Sequence, residues 1–383
     1  MNDLSFIMSG GRLLGQGVYG CVFDPPLICR GKKTPIGGWK TGRLGKMCVG
    51  GDAKNELIAA ELFKNKPESK KYFILPIMET VCEKKPGEPP IIESQQIEKD
   101  LNKCEPLSSK GVDVMQHFEM EYGGKDLQSS FKNIKLNPND FNYFQFMEDL
   151  LEIGAYLVLN GFIHNDLHSG NLVVNKNYHP RLIDFGRSFY SARIDKNIVD
   201  GFKAYYDPTL SQLPPECTAR DGIAEGIPLE TIVSDIIKSK RGFIVGEKLF
   251  GIDRYEQGYE FMRFWNSSKT AQTKDWVSFY RLYWPVADSW AVGAMLCKIL
   301  EMLHTTYSFE NNEKWGQQWK EKRPIIKEII TGLLKASPKQ RLDCLEALYM
   351  YNPMNKLVIS KAGKTWLDKK QEIRKNVPVA TKP

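Results

Sequence analysis

Residues 161–187 read GFIHNDLHSGNLVVNKNYHPRLIDFGR. Two acidic residues stand there in different settings. Asp166 lies within His164-Asn165-Asp166-Leu167-His168-Ser169-Gly170-Asn171, and Asp184 heads Asp184-Phe185-Gly186. Two short runs of strand character, Leu172–Val174 and Arg181–Ile183, flank the polar turn Asn175–Pro180, so the spacing predicts a β-hairpin. A hairpin brings its ends together. Asn171 and Asp184 are therefore expected to face one small space, with Asp166 a few residues away.

That combination suits phosphoryl transfer. One carboxylate can orient an attacking hydroxyl and accept its proton, while a second carboxylate and an amide oxygen offer the hard ligands that magnesium prefers. The stretch resembles the catalytic and metal-binding loops of eukaryotic-type protein kinases, written H-R-D-x-x-x-x-N and D-F-G. The spacing from Asp166 to Asn171 fits that pattern. The resemblance implies Asp166 as catalytic base and Asn171 and Asp184 as magnesium ligands. Asp and Asn are common in turns, but the two motifs in this order are hard to produce by chance.

Working toward the N-terminus, Arg12–Phe23 reads RLLGQGVYGCVF, a glycine turn between apolar runs. A lone G-x-G-x-x-G is a weak signal, and in dinucleotide folds it opens a helix. Here Asp24-Pro25-Pro26 follows at once and opposes a helix, so strand–loop–strand is expected. On the resemblance, Leu14, Gly15, Gln16, Gly17, Val18, Tyr19, Gly20, Cys21 and Val22 cover ATP, with Leu14 and Val22 against the adenine. Residues 24–43 read as a surface loop. The Arg43–Val49 strand carries Lys46, and a helix is expected from about Asp52 to Lys64, with Asp52 as N-cap. Glu56 shares a face with Ala53, Ala60 and Phe63. The family needs a phosphate-binding lysine held by a helical glutamate. Lys46 and Glu56 are favoured for those roles over Lys40 and Glu61. Residues 82–111, with Pro86, Pro89, Pro90 and Pro106, read as an inserted loop. The Phe118–Met120 strand then leads into Glu121-Tyr122-Gly123-Gly124-Lys125-Asp126. This is similar to the kinase hinge, which makes Met120 the gatekeeper, sets Glu121 and Gly123 against adenine and points Asp126 to the ribose.

Asn137-Pro138 is expected to start a helix running to about Leu159, with Phe141, Phe144, Met147, Leu151, Ala155 and Leu159 on its buried face and Asn160-Gly161 as a left-handed stop. Beyond Asp184-Phe185-Gly186, the Arg187–Leu213 segment lacks periodicity and ends in Pro214-Pro215-Glu216. The resemblance makes this an activation segment closed by an A-P-E-like motif, whose Glu216 pairs with Arg341. Asp288-Ser289-Trp290-Ala291-Val292-Gly293 matches the helix whose aspartate braces the catalytic-loop backbone. Glu216 and Asp288 are 72 residues apart, more than this connection needs, so 217–275 reads as an insertion. Ile227–Ile237 has an amphipathic helical pattern and Tyr255–Trp265 is aromatic. The insertion is either a local subdomain or a docking surface for a partner.

Composition bounds the rest. The chain has 383 residues, 42% hydrophobic and 26% charged, which suits a soluble globular protein of more than one core. Eight cysteines lie scattered with no C-x-x-C pair and no His spacing that suits zinc, which predicts reduced thiols in an intracellular, cytoplasmic setting and no disulfide framework. No signal peptide is expected, and Ala291–Leu303 is too short and too charged to span a bilayer. The net charge of +7 is uneven. Residues 355–383 hold eight Lys or Arg against two Asp or Glu, or +6, and read as a solvated helix or frayed end. Nucleic acid is not expected as a partner.

The resemblance covers about Leu14 to Leu348. It implies an α+β, two-lobed, protein-kinase-like fold: a small β-rich N-lobe over 1–122, a larger helical C-lobe over 123–353, and a basic tail over 354–383. It implies an ATP- and Mg2+-dependent serine/threonine kinase acting on protein substrates. The runs YGCVFDPPLIC and HNDLHSGNL are also similar to kinases of large cytoplasmic DNA viruses, which would place the protein in host cytoplasm or virion. Two positions depart from the family. Asn165 replaces the arginine that receives an activation-loop phosphate, so phosphorylation of Ser188, Ser191 or Thr209 is not expected to drive activity. His168 replaces a lysine, as in small-molecule kinases of the aminoglycoside and choline type. That class, and a pseudokinase binding module, are the alternatives. The pseudokinase reading is opposed by the retention of Lys46, Asp166 and Asp184.

Overall fold

The structure is a computed structural model that describes residues 12–17, 20–29, 42–82, 103–106, 115–133, 138–202 and 205–375. Val18, Tyr19, Lys40, Pro86, Pro89, Pro90 and Asn137 lie outside the described residues, as does 376–383 of the basic tail. The chain is α+β: a four-stranded antiparallel sheet near the N-terminus precedes a largely helical region. It divides into two compact units, Met1–Gly124 with Arg181–Ser188, and Lys125–Pro180 with Phe189–Pro383.

In the first unit the sheet runs β1 (Arg12–Gln16), β2 (Gly20–Asp24), β3 (Arg43–Val49) and β4 (Met115–Glu121) in that order. β1 and β2 are joined across the glycine turn with Gln16 opposite Cys21, so strand–loop–strand is what forms. Gly20 cannot carry a side chain, because a Cβ there would collide with the Met47 carbonyl oxygen. β3 pairs with β4 along its whole length and sets Lys46 opposite Phe118. The helix after β3 spans Gly50–Phe63, with Val49 at the cap position. Asp52 is therefore in the first turn and is not the cap, although a carboxylate there still favours the helix dipole.

Two expectations for this unit are corrected. Residues 24–43 are not all surface loop, because Leu27 and Cys29 are buried with Cys21, Phe23, Met47 and Met115 in one core cluster. Four of the eight cysteines are also paired, Cys21 with Cys104 and Cys29 with Cys82, with Cα atoms 6.2 and 5.6 Å apart. Sequence separations of 83 and 53 residues hid both pairs. Cys48, Cys217, Cys297 and Cys344 are free and buried.

The second unit is built on the Tyr143–Leu159 helix, which begins later than the sequence suggests. Asn142 caps it by accepting hydrogen bonds from the Phe144 and Gln145 amides, a contribution of about 1 kcal/mol. Residues 138–140 form a turn instead of a first helical turn. The helix ends at Leu159, and two residues on Gly161, with φ +65° in the left-handed region, turns the chain away. Gly154 lets the Cys344–Tyr351 helix approach closely, since a Cβ there would strike the Cys344 sulfur. The 217–275 stretch is helical: Pro215–Ala224, Leu229–Ser239, Arg241–Phe250 and Arg254–Ser267 follow one another. Phe243 meets Trp290 of the Ala287–His304 helix edge-on at 4.9 Å, so these helices share the unit's core. The described part of the basic tail is also packed. Leu357, Val358 and Leu367 are buried, Trp366 donates to Asp343 at 2.8 Å, and Lys370 pairs with Asp343 at 3.1 Å. Among the described residues no helix is long and apolar enough to cross a membrane.

Lys240, between two of these helices, is fully buried and donates to the Leu210 carbonyl oxygen at 3.0 Å. Burial pulls its pKa down to about 7, although Cys217, Glu216 and Asp207 favour the charged form. Below about pH 7 the folded and unfolded chains both hold this proton, and the cost of burying it is full. As pH rises from there toward the ordinary lysine value of 10.5, the unfolded chain keeps a proton that the folded chain has lost. Lys240 therefore adds stability with rising pH, by up to ~1.4 kcal/mol per unit. Urea unfolding at pH 7 and pH 9 is expected to show wild type gaining on Lys240→Met; a constant difference would refute the assignment.

Candidate active site

In the first unit, three of the predicted residues converge. Lys46 is buried on β3 and donates to the Glu56 carboxylate, which is fully buried on the following helix. The same ammonium lies 2.9 Å from Asp184 Oδ1. Burial alone would neutralise Lys46, but the Asp184 and Glu56 carboxylates outweigh it and hold the lysine charged, well above its ordinary range. Burial raises the Glu56 pKa to about 6, with Lys46 opposing. Asp184 is half exposed on its side-chain atoms and has φ +64°, a strained conformation for a residue other than glycine.

What holds that conformation is local packing. Phe185 is fully buried and meets Phe73 edge-on at 5.3 Å, and Phe73 meets Phe63 at 4.9 Å. Asn55 donates to the Gly186 carbonyl oxygen at 2.7 Å. Asn55, the neighbour of Glu56 on the helix, belongs to no motif of the sequence. Ser188 is buried and its hydroxyl donates to Phe185 O at 2.6 Å, so it braces this turn.

Around the glycine turn, the Gly17 amide donates to Gly20 O at 2.9 Å and Gln16 Oε1 accepts from the Glu105 amide. Leu14 is exposed and Val22 half-buried. Cys21 faces the other way. Its sulfur is in the core, bonded to Cys104, which leaves only its backbone for a ligand. Met120 is buried, and Glu121 pairs with Arg181 at 3.2 Å. Gly123 is buried.

In the second unit, Asp288 accepts hydrogen bonds from the amides of His164 (2.7 Å) and Asn165 (2.9 Å). It is the brace expected for this loop. Burial raises its pKa, while the two amides favour the carboxylate. Asn165 has φ +63°, which turns the chain sharply just before Asp166. The Asn171 side-chain amide donates to Asp166 O at 2.9 Å and approaches Asp166 Oδ2 at 3.4 Å. Its NH2 end thus faces Asp166, and its carbonyl oxygen is the end left to ligate. The Gly170 amide donates to His168 Nδ1 at 3.0 Å, so His168 carries its proton on Nε2, 3.8 Å from Asp166 Oδ2. Asp126 Oδ1 accepts from the Ser129 amide at 2.7 Å and so caps the Leu127–Asn133 helix. A cavity of about 250 Å3 beside the loop is lined by His168, Ser169, Gln212, Arg241 and Lys298 among others.

Glu216 and Arg341, 125 residues apart, form a buried two-pronged pair with both N···O distances 2.7 Å. In a neighbouring cluster Arg220 binds Asp221 Oδ1, Tyr280 Oη (2.6 Å) and Phe202 O (2.7 Å). No spacing signal marks it, because Tyr280 is 60 residues away.

No family profile matches the chain. A stretch of 73 residues is 30% identical to a rice protein (Oryza sativa subsp. japonica) described as a protein kinase and PP2C-like domain-containing protein. The stretch covers 19% of this chain and 11% of the rice protein, so the similarity is partial and distant.

Proposed function

We propose that the chain is an ATP- and magnesium-dependent protein kinase that transfers the γ-phosphate to serine or threonine of protein substrates, on a two-lobed kinase-like fold. The observation that carries this reading is Lys46 held charged between Glu56 and Asp184. A buried lysine fixed by one carboxylate and shared with a second is a phosphate anchor next to a metal ligand. The partial similarity to a kinase-domain protein supports it.

The donor set suits magnesium. Asp184 offers a half-exposed carboxylate, and Asn171 has its amide NH2 engaged so that an oxygen is presented. Each is a hard oxygen donor of the kind magnesium takes, and magnesium held at Asp184 beside Lys46 would neutralise charge on the triphosphate. Lys46 contributes fixed positive charge to the phosphates. Asp166 orients the acceptor hydroxyl and takes its proton, held in place by the Asp288-braced loop. The Nε2 hydrogen of His168 would offer a donor to the transferring phosphate, in place of the usual lysine. Catalysis on this reading is mainly positioning and charge neutralisation.

The test is transfer of radiolabelled phosphate from ATP and magnesium to mixed acidic and basic proteins, followed by phosphoamino-acid analysis. Label on serine or threonine is expected, and Lys46→Met should reduce it at least ~100-fold. His168 favours a second reading, a small-molecule acceptor. Label on aminoglycosides or choline, with none on protein, would establish that reading instead.

A further inference from the structure

Outside the candidate active site, the first unit gathers a second set of reactive side chains. Cys29, Cys82 and His117 place their sulfur and ring-nitrogen atoms within 4.8 Å of one another. All three are buried, at 9%, 3% and 1% exposure. They come from three separate segments: the chain after β2, the chain after the Met78–Thr80 turn, and β4. His117 Nδ1 lies 3.4 Å from Cys82 Sγ, and the Thr80 carbonyl oxygen lies 3.8 Å from Cys29 Sγ.

The frame around them is built. The Cys82 amide donates to His117 O at 2.8 Å, the Glu119 amide to Thr80 Oγ1 at 2.9 Å, and the Ile77 amide to Glu119 O at 2.9 Å. Residues 77–82 are thereby fixed along the edge of β4. Gly45 leaves room for the imidazole, since a Cβ there would lie 2.5 Å from His117 Nε2. His117 Nδ1 faces the sulfurs.

We propose that Cys29, Cys82 and His117 form a zinc site in the reduced protein, and that the Cys29–Cys82 disulfide replaces the ion on oxidation. Two thiolates cancel the charge of Zn2+, so the complex can be buried where free thiolates could not. Tetrahedral zinc sets sulfur and imidazole nitrogen on the order of 3.5 Å apart, close to the Cys82–His117 spacing already present. Water completes four coordination. Oxidation by a low-molecular-weight disulfide balances as follows. The two thiolates lose two electrons and form the Cys29–Cys82 bond, the small disulfide is cleaved to two thiolates, and Zn2+ leaves. Cys21 and Cys104, whose sulfurs are joined in the same core, are no part of the cluster, and they serve as the control.

The full chain, purified under a phosphine reductant without chelator, is expected to hold about one zinc ion by mass spectrometry of the metals. Cys29→Ser, Cys82→Ser and His117→Asn should each lower that content at least ~5-fold, and the Cys21→Ser/Cys104→Ser variant should retain it. Oxidised glutathione should release the zinc and yield a Cys29–Cys82 cross-linked peptide. Because a variant can fail to fold, Co2+ is added to reduced wild type as a second probe. A thiolate-to-cobalt charge-transfer band is expected, abolished by prior oxidation. Reduced wild type that takes up neither zinc nor cobalt overturns the proposal, as does metal retained in all three folded variants.

Discussion

Asp166→Asn is expected to lower phosphate transfer by about 10²- to 10⁴-fold while leaving the fold intact. The residue sits on a loop whose backbone is held by Asp288, and both amides concerned, His164 and Asn165, lie outside the substituted side chain. The Asn171 NH2 group bonds the Asp166 main-chain oxygen as well as approaching its carboxylate, so the turn keeps its internal tie. Asparagine has the same shape but cannot accept the proton of an attacking hydroxyl. The loss should therefore fall on the rate at saturating ATP, with ATP binding little changed. Single-turnover transfer and thermal unfolding on the same preparation check both halves. A variant that keeps more than about a third of the activity would remove Asp166 from the base role.

The largest stability effect is expected at Arg341. Arg341→Ala should cost about 3–5 kcal/mol, because it leaves the Glu216 carboxylate buried without its counter-charge. Glu216 is 4% exposed and Arg341 1%. The guanidinium also donates to the carbonyl oxygens of Lys335 (2.9 Å), Ala336 (3.1 Å) and Val286 (3.3 Å), and lies 5.5 Å from the centre of the Trp290 ring. Arg341→Lys should restore little, since an ammonium cannot make the two-pronged contact and the carbonyl bonds together. Replacing both partners with apolar residues of similar volume should cost less than Arg341→Ala alone. Denaturant midpoints for the three variants test the ranking. A loss below about 1 kcal/mol in Arg341→Ala would show the pair to be incidental.

Local pattern made much of this readable. Apolar spacing marked the Tyr143–Leu159 helix, apolar runs around a glycine turn marked β1 and β2, and the Arg43–Val49 run marked β3. Helical spacing also turned Glu56 inward, and the structure buries it completely on Lys46. Caps were read less well. Asn142, not Asn137, starts the long helix, because an Asn caps only where its oxygen reaches the next free amides, and that depends on the backbone entering the turn. Cysteine scatter misled for a related reason. The distance between Cys29 and Cys82 along the chain says nothing of the sheet that brings their Cα atoms to 5.6 Å.

The amino-acid order by itself determined the element types and the chemical kinds of residue on each, since both follow from neighbours within a few positions. It placed a lysine on β3, a glutamate on the next helix, an aspartate ahead of a predicted hairpin and a glycine where the long helix stops. The resemblance to protein kinases pairs Lys46 with Glu56 and Glu216 with Arg341, and the structure holds both pairs. Only the tertiary structure brings Asp184 to Lys46 and Cys29 to Cys82 beside His117. Lys240 is left to a carbonyl and a lowered pKa. The physical reason is that charge pairing and desolvation depend on distance and burial in space, and identical side chains far apart in sequence carry neither until the chain has packed.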